Sequence, residues 1–521
     1  MEGTLMNGAE LLLRTAVKAG IEVCFTNPGT TEMPLVCAFD SVGGIRPVLG
    51  LFEGCCTGAA DGYGRMADKP AMTLLHLGPG LGNGIANLHN ARRARTPVFN
   101  VIGEHATWHR SADPPLNMDI VTLAETVSGW QRTSAALQNL SKDTAEAITA
   151  ALQGKVATLI VPSDVQWSDS PNNKIHLSKT PEASVDKDSI ERAADLLRTN
   201  QKAALILGGW ALRKRGLAAA ARIKAKTGCD LLSERAPARM ERGAGFPATE
   251  FIPYFPRQAL NLLSQYQTVV LAGAGEPVTF FGWQGYESRL LNDDQGICQI
   301  QAADKSLSLA LENLADALDA PGNVHAADAG FAPVERPALP RGKLTAQNAC
   351  LILAALQPED AIIVNESITS GTAYFPLGPG LPPHTLLMLP GGAIGYGMPC
   401  AVGAAIACPQ RPVINFQADG SAMYTLQSLW MQAREGLDIT TLICSNRSYK
   451  ILNIEIARSG IDTPGQHLRS LTDLTNPTID WVQISKGMGV QAVAVESSES
   501  LAREIKKALV EPGPHLIQMD L

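Results

Sequence analysis

Strand-like apolar segments alternate with helix-like segments along nearly the whole chain. Near the start, the strand-like segments read "EVCFTNPG", "AMTLLHLGPG" and "PVFNVIGEH", and the helix-like "NGIANLHNARRAR" lies between the last two. This alternation is typical of βαβ units, in which parallel strands form a sheet and helices cover its faces. The pattern predicts an α/β protein built from doubly wound parallel sheets.

Two stretches poor in strand-like segments divide the 521-residue chain into three units. "QWSDSPNNKIHLSKTPEASVDKD" is polar and "APGNVHAADAGFAPVERPALPRGK" is rich in Ala, Pro and Gly, so both are predicted to be linkers. The predicted domains span residues 1–166, 186–322 and 345–521. The third includes the strand-like segments "AIIVNES", "PVINFQADG", "TTLICSN" and "HLIQMDL".

Charge and composition narrow the class of protein. The net charge is −7 and no long basic block is present, so we expect no nucleic-acid partner. No apolar run reaches the roughly 18 residues of a membrane span, and "MEGTLMNGAELLLRTAVKAG" is typical of an amphipathic helix rather than a signal peptide. The 10 cysteines lack metal-site spacing and favour a reducing compartment. We therefore expect a cytoplasmic protein that acts on small molecules.

The segment "VINFQADGSAMYTLQSLWMQAREGLDITTLICSNRSYKIL" places polar residues at two predicted strand ends, Asp419 followed by Gly420, and Asn446. Both ends lie at the carboxyl edge of an open α/β sheet, where ligands bind. Asp419, Asn446 and the carbonyl of Ser448 would offer the oxygen ligands that Mg²⁺ prefers, with phosphate oxygens completing its coordination. Gly420 would permit close approach of the backbone. The alternative is a capping Asp and a turn Asn.

"GLFEGCCTGAADGYGR" reads as a helix of small residues with one carboxylate, Glu53, among apolar neighbours. Burial of a charge is costly unless the charge is paired. Glu53 is therefore either a functional group or a partly exposed residue at the positive end of a helix dipole. This segment alone leaves both interpretations open.

The "DGS…SNRSY" pattern resembles the diphosphate–magnesium motif of thiamine diphosphate enzymes, and "FEGCCTGAADGYGR" resembles the helix that carries their first-domain glutamate. Within the family, the chain resembles benzoylformate decarboxylase in "TNPGT", "LLHLGPGLGNG", "VNESITSGTA" and "GGAIGYGMP". The resemblance implies pyrimidine-binding, central and diphosphate-binding domains, with thiamine diphosphate and Mg²⁺ as cofactors. It also implies a 2-oxo acid substrate and a homodimer or homotetramer with active sites at the subunit interface.

The resemblance also implies roles for individual residues. Glu53 would contact the cofactor's pyrimidine, His76 would be the first active-site histidine, and Thr30 would lie near the substrate carboxylate. Helix capping is the alternative for Thr30, and a hydrogen-bonded strand-end histidine is the alternative for His76. The implied cofactor-binding residues are Glu53, Asn365, Thr369, Ser370, Ile394, Gly420, Ser421 and Tyr449, and the implied metal ligands are Asp419, Asn446 and Ser448.

The chain departs from benzoylformate decarboxylase in the middle-domain loop "AGEPVTFFGWQG". By resemblance, benzoylformate decarboxylase has a second active-site histidine at this point of the loop. This chain has Gly282 there, and no histidine lies nearby in the sequence. By resemblance, the absence of this histidine favours carboligation, in which the decarboxylated fragment is joined to a second carbonyl compound, as in acetolactate synthases. We therefore expect 2-oxo acid decarboxylation with carboligation; a simple decarboxylase that releases an aldehyde, or an inactive cofactor-binding homologue, are the alternatives.

Two further expectations follow from the resemblance. Glu455 stands where benzoylformate decarboxylase has an aromatic residue, which implies a pocket less suited to an aryl group. The small residues Gly54, Cys55, Gly58 and Ala59 are predicted to let their helix pack against its counterpart in a second subunit. No clean GxGxxG follows a strand in the middle unit, so we expect no flavin.

Overall fold

Mainly parallel β-sheets covered by helices follow one another along the chain, which confirms the α/β prediction. The computed structural model describes residues 6–170, 174–179, 184–199 and 202–521. Among these residues the strands form sheets of six, five and seven strands and one two-stranded ribbon. The first residues of the predicted N-terminal helix segment, 1–5, and the predicted linker residues 171–173 and 180–183 lie outside the described part.

The first sheet has the strand order β3-β2-β4-β5-β7-β6, and its described pairings are all parallel. The two-stranded ribbon pairs β1 with β8. The strands are β1 (Met6–Asn7), β2 (Val23–Thr26), β3 (Arg46–Leu49), β4 (Ala71–His76), β5 (Val98–Glu104), β6 (Trp130–Thr133), β7 (Val156–Pro162) and β8 (Asp169–Ser170). The helices are α1 (Gly8–Lys18), α2 (Met33–Val42), α3 (Glu53–Ala67), α4 (Leu77–Arg93), α5 (Ile120–Glu125), α6 (Leu137–Leu152) and α7 (Ser163–Trp167).

The middle sheet has the order β12-β10-β9-β13-β14 and is also parallel. The strands of this part of the chain are β9 (Ala203–Leu207), β10 (Asp230–Ser233), β11 (Arg239–Arg242), β12 (Glu250–Phe251), β13 (Thr268–Ala272) and β14 (Gly296–Gln299). The helices are α8 (Lys187–Thr199), α9 (Lys214–Thr227), α10 (Pro256–Leu263), α11 (Leu307–Ala317) and α12 (Ala326–Ala329).

The third sheet has the order β11-β16-β15-β17-β18-β20-β19. Its edge strand β11 comes from the middle part of the chain and pairs antiparallel with β16, so the two units share a sheet. The remaining strands are β15 (Ile362–Glu366), β16 (His384–Leu387), β17 (Val413–Ala418), β18 (Ile439–Ser445), β19 (Gln491–Val495) and β20 (His515–Asp520). The helices are α13 (Ala346–Leu356), α14 (Gly397–Ala407), α15 (Asp419–Ala422), α16 (Ser428–Arg434), α17 (Lys450–Arg458), α18 (Gln466–Ser470), α19 (Trp481–Gly487) and α20 (Ser498–Ala508).

Helix α3 packs against α14 of the same chain, so the predicted packing against a second subunit is wrong. A Cβ added at Gly58 would lie 2.6 Å from Cγ of Pro399, and one at Gly403 would lie 1.9 Å from the carbonyl oxygen of Ala59. Every α3 residue from Glu53 to Met66 is buried within the chain. The small residues therefore serve a close intramolecular crossing, which fixes the position of Glu53 at the start of α3.

Substitution Gly403→Ala is expected to lower the free energy of unfolding by about 1–3 kcal/mol, because the new methyl group cannot fit against the α3 backbone. Thermal or urea unfolding measures the change. Gly82→Ala is the matched control, since a Cβ at this helical position meets no atom within 4 Å, and Ala is the better helix former. Equal or higher stability of Gly403→Ala would contradict the crossing described here.

Candidate active site

His76 lies at the carboxyl end of β4 and is held by a buried carboxylate. Its Nδ1 lies 2.9 Å from Oε2 of Glu32, which also accepts a hydrogen bond of 2.8 Å from the backbone N–H of Gly29. The hydroxyl of Thr31 donates to the other oxygen of Glu32 and lies 3.1 Å from Nδ1 of His76. Glu32 is fully buried, whereas the His76 side chain is partly exposed.

Two glycines make room for this pair. A Cβ at Gly29 would lie 2.2 Å from the ring of His76, and one at Gly103 would lie 1.9 Å from Oε1 of Glu32. The hydrogen bond to Glu32 raises the pKa of His76 above its ordinary value; burial lowers it, and the charges of Glu32 and Glu53 raise it. The pairing with Glu32 therefore favours the protonated form of His76.

Substitution Glu32→Gln is expected to lower the pKa of His76, because the imidazolium loses its carboxylate partner. The part of the pH profile of kcat/KM that reflects the titration of His76 should then move to lower pH. Titration of His76 followed by nuclear magnetic resonance should show the same shift. The same pairing makes the stability of the native protein depend on pH. The contribution of the His76–Glu32 pair to the free energy of unfolding is fully present below the pKa that His76 has in the unfolded chain, and it is lost as pH rises through the higher pKa of His76 in the folded protein. An unchanged titration would contradict the assigned pairing.

Thr30 is exposed at the first residue of a short 3₁₀ turn, Thr30–Glu32. The residue before that turn is Gly29, so Thr30 does not cap it. The hydroxyl that reaches His76 belongs to the neighbouring Thr31. The structure thus places Thr31, rather than Thr30, beside the histidine.

Glu53 is the first residue of α3 and is 8% exposed. Its Oε2 accepts a hydrogen bond of 3.0 Å from the side-chain amide of Asn83. The neighbouring Asn87 donates to the carbonyls of Gly54 and Gly395, at 2.8 and 3.4 Å. The structure places Glu53 at a helix N-terminus, as the second interpretation expects, but largely buries it, and its functional role stays a prediction.

Asp419 and Asn446 follow adjacent strands of the third sheet. Ala418, the last residue of β17, pairs with Cys444 in β18, so both side chains leave the sheet at the same edge. Oδ2 of Asp419 accepts a hydrogen bond of 2.7 Å from the backbone N–H of Arg447. Burial raises the pKa of Asp419 above its ordinary value although backbone donors oppose the shift. A cation beside Asp419 would offset this cost of burial.

Polar side chains that follow β18 and β15 complete this edge. The Asn446 amide nitrogen lies 3.4 Å from Oγ of Ser370, and its Oδ1 accepts 3.0 Å from the N–H of Ser448. Oδ1 of Asn365 accepts from the backbone and hydroxyl of Ser367. Within the described chain, the buried Nδ2 of Asn365 has no hydrogen-bond partner. An acceptor supplied by a ligand would satisfy this donor.

The other predicted cofactor-binding residues lie at or next to the same edge. A Cβ at Gly420 would lie 2.6 Å from the ring of Tyr449, so only glycine fits under this ring. Ser421 is buried and its hydroxyl accepts a 2.7 Å hydrogen bond from Gln417. Thr369 is partly exposed just after β15. These positions leave the carboxyl edge of the third sheet lined by hydroxyl, amide and carboxylate groups.

A second buried carboxylate holds the loop that carries Ile394. Glu366 accepts hydrogen bonds of 2.6 and 2.7 Å from the backbone N–H groups of Gly395 and Gly397. Burial raises the pKa of Glu366 to about 7, against the opposing effect of these donors. Glu366 therefore positions the half-buried Ile394 by fixing the backbone directly after it.

The sequence and the fold are both similar to those of known proteins. The family models for the N-terminal and C-terminal thiamine pyrophosphate-binding domains of thiamine pyrophosphate enzymes match residues 6–124 and 371–519. A Mycobacterium tuberculosis protein provisionally named acetolactate synthase large subunit IlvX is 48% identical over 99% of both chains. The chain belongs to the thiamine pyrophosphate enzymes. Benzoylformate decarboxylase of Pseudomonas aeruginosa is 28% identical over 96% of both chains.

A solved structure shows the same fold. The thiamine diphosphate-dependent 4-hydroxybenzoylformate decarboxylase of Rhodococcus jostii RHA1 superimposes with a TM-score of 0.85 at 23% identity, over 99% of both chains. The carboxyl edge of the third sheet of this thiamine pyrophosphate enzyme fits a diphosphate with its cation. Asp419, Asn446 and Ser448 offer hard oxygen ligands, and the free Asn365 donor suits a phosphate oxygen.

The donor set also limits the kind of metal. No group of three or more His, Cys, Asp and Glu side chains able to hold a metal ion is found in the described ranges. A single carboxylate with neutral oxygens suits Mg²⁺ that shares its coordination with phosphate and water, rather than a closed protein cage. No helix in the described part of this thiamine pyrophosphate enzyme is long and apolar enough to cross a membrane.

The predicted residues fall into two groups in this enzyme. One, with Glu53 and His76, lies at the edge of the first sheet; the other, with Asp419 and Asn446, lies at the edge of the third. No hydrogen bond between described residues joins these four side chains across the groups. The sequence arguments missed Glu32, whose spacing after Gly29 is that of an ordinary helix-start carboxylate.

Proposed function

We propose that this enzyme decarboxylates a 2-oxo acid with thiamine diphosphate and Mg²⁺ and joins the remaining fragment to a second carbonyl compound. Thiamine diphosphate, when bound, supplies the nucleophile and the electron sink for loss of carbon dioxide. The single observation that carries the choice of carboligation is the middle-domain loop, which has no imidazole at Gly282 and is exposed there.

The first group of residues would manage protons. We propose that Glu53, largely removed from water and hydrogen-bonded to Asn83, binds the cofactor's pyrimidine ring and holds a proton there. His76, whose pKa is raised by the hydrogen bond to Glu32, would orient the substrate carboxylate or donate a proton to its carbonyl oxygen. Thr31 would hold this pair in register through its hydroxyl.

The second group would bind the charged end of the cofactor. We propose Asp419, Asn446 and the carbonyl of Ser448 as ligands of Mg²⁺. Diphosphate oxygens would accept hydrogen bonds from the side chains at the end of β15 and the start of α15, and the remaining cofactor contacts would come from neighbouring residues. These proposed contacts are Asn365, Thr369, Ser370, Gly420, Ser421, Tyr449 and, beneath the cofactor, Ile394.

Carboligation requires that the fragment left after decarboxylation escapes protonation until an acceptor arrives. An imidazole close to the fragment would be a general acid and would speed protonation, which releases the aldehyde. Phe281, Gly282 and Trp283 offer no such acid. The loop composition therefore supports the slower release that carboligation needs.

Substitution Gly282→His is expected to shift the products toward free aldehyde by at least about tenfold, since general acids commonly contribute more than this. Gly282 leaves room for a side chain to start, because an added Cβ meets no atom within 4 Å and the residue is exposed. Chromatography of products from pyruvate measures the ratio of acetaldehyde to acetolactate. Gly275→His in the same loop, also with open space, is the control. An unchanged ratio in Gly282→His would count against the role assigned to this loop.

A panel of 2-oxo acids, including pyruvate and benzoylformate, tests the proposal as a whole. The purified protein should release carbon dioxide only when both thiamine diphosphate and Mg²⁺ are present, and mass spectrometry should detect a ligated 2-hydroxy ketone or acetohydroxy acid. Rapid aldehyde release without any ligated product would overturn carboligation. No consumption of any 2-oxo acid would overturn the proposed activity.

We also propose that two or four copies assemble and complete each active site at their interface. Exposed apolar side chains flank both groups, Leu51 and Met118 beside the first sheet edge and Tyr424 and Leu452 beside the third. These side chains would be covered by a second copy at the proposed interface. The ten unpaired cysteines suit the proposed cytoplasmic location. Analytical ultracentrifugation at micromolar concentration would contradict the assembly by showing a monomer.

A further inference from the structure

A tryptophan of the middle-domain loop meets a carboxylate of the third unit. Nε1 of Trp283 donates a hydrogen bond of 3.3 Å to Oε2 of Glu455, a residue of α17. Nε of Arg458, one turn further along α17, lies 3.7 Å from the same oxygen. Both contacts engage the same one of its two oxygens.

This pair belongs to the wall of the proposed active site. Phe280, from the same loop, packs so closely on the segment carrying Ile394 that a Cβ at Gly392 would lie 2.7 Å from its ring. At the other end, α17 begins directly after Tyr449, whose ring covers Gly420 beside the proposed metal ligands. Loop and helix thus each contact the cofactor-binding edge, and Trp283 and Glu455 join them.

The second oxygen of Glu455 is unsatisfied. Among the described residues, the buried Oε1 has no hydrogen-bond partner. An unpaired buried carboxylate oxygen is costly, so a site that keeps one is suited to a ligand that donates to it. Space exists beside the pair, because nothing lies within 4 Å of a Cβ at Gly282, and Leu452 on the same face of α17 is exposed.

The surrounding charges select the kind of donor. Arg458, 3.7 Å from Glu455, stacks over Phe255 at 4.2 Å from the ring centroid. Arg235 stacks over Phe280, in the loop that carries Trp283, at 4.3 Å, so guanidinium groups lie on both the helix side and the loop side of this wall. A cationic ligand group would be repelled by them, whereas a neutral hydroxyl can donate to Glu455 without a charge penalty. The aromatic rings around it would cover the apolar part of such a ligand.

We propose that Glu455 determines substrate specificity by accepting a hydrogen bond from a neutral hydroxyl group at the distal end of the 2-oxo acid. This inference rests on the proposed function, because it names the substrate class of the same site. The enzyme would then prefer hydroxylated 2-oxo acids over analogues of equal size that carry a methyl group in place of the hydroxyl.

Pairs of equal size test the proposal directly. The enzyme with thiamine diphosphate and Mg²⁺ is assayed on 4-hydroxy-2-oxobutanoate against 2-oxopentanoate, and on 4-hydroxybenzoylformate against 4-methylbenzoylformate. In at least one pair the hydroxylated member should have a kcat/KM about 10- to 100-fold higher, the range for a hydrogen bond to a charged group. Glu455→Leu should remove or reverse that preference. Glu359→Leu, an exposed position before β15 at the opposite sheet edge, should keep it.

A binding measurement separates this inference from the proposed function. Calorimetry of the cofactor-loaded protein compares 2,4-dihydroxybutanoate with 2-hydroxypentanoate, which lack the reactive carbonyl, and tighter binding of the first supports the role of Glu455 without turnover. Turnover of 2-oxo acids with equal preference in both pairs, and equal binding of the two analogues, overturns the inference and leaves the proposed function standing. No turnover of any 2-oxo acid overturns the proposed function, and with it this inference about its substrate.

Discussion

Substitution Glu53→Gln is expected to reduce 2-oxo acid consumption by about 10²–10⁴-fold, the usual contribution of a positioned acid–base group. The amide keeps the shape of the side chain and its contact with Asn83, but it cannot exchange a proton with the pyrimidine ring. Because Gln matches Glu in size and shape, the change should leave the fold intact, which circular dichroism and thermal unfolding would verify. The measurement is kcat with saturating cofactors.

The control for this experiment is Glu22→Gln. Glu22 is exposed in the same unit and forms a surface ion pair with Lys69, and surface pairs contribute little. Its activity should match that of the native enzyme. A Glu53→Gln variant with nearly native activity would show that the carboxylate has no part in the chemistry, and the remaining explanation for Glu53 would be its place at the helix N-terminus.

Substitution Asp419→Ala is expected to weaken Mg²⁺-dependent binding of thiamine diphosphate by at least about 100-fold, since loss of even an outer partner of a metal ligand commonly costs 10–100-fold. Asp419 is the one carboxylate in the proposed ligand set, and its charge would balance that of the cation. Activity should fall in parallel at limiting cofactor. Calorimetric titration with thiamine diphosphate, with and without Mg²⁺, measures the effect.

Asp294→Ala provides the matched control, because Asp294 is exposed in the middle unit, away from the edge of the third sheet. Its affinity for the cofactor should equal that of the native protein. Retention of Mg²⁺-dependent binding by Asp419→Ala would place the metal elsewhere. The carboxylate would then be explained by the hydrogen bonds it accepts from the backbone of Gly420 and Arg447.

The strands and their ends were predictable because buried parallel strands are short apolar runs with Gly or polar residues directly after them. "PVINFQADG" and "TTLICSN" become β17 and β18, and their register brings Asp419 and Asn446 to one edge. The same logic placed His76 at the end of β4. The roles of these residues remain predictions, since geometry alone does not test chemistry.

Contacts between distant segments were not predictable from local patterns. Glu32 has the spacing of a helix-start carboxylate, and only the fold brings it to His76. The interaction of Trp283 with Glu455 joins two units of the chain, and no periodicity encodes it. The small residues of α3 indicated close packing correctly but not the partner, because a stripe of small residues fits any helix that crosses at short distance.

The ratio of pyruvate consumed to carbon dioxide released distinguishes carboligation from simple decarboxylation. Ligation of one decarboxylated pyruvate to a second consumes two molecules for each carbon dioxide, and the product is acetolactate. Simple decarboxylation consumes one molecule for each carbon dioxide, and the product is acetaldehyde. With thiamine diphosphate and Mg²⁺ present, we predict a ratio of two with acetolactate as the main product. A ratio of one with acetaldehyde as the product would contradict carboligation. No consumption of pyruvate or of any other 2-oxo acid would contradict the proposed activity as a whole.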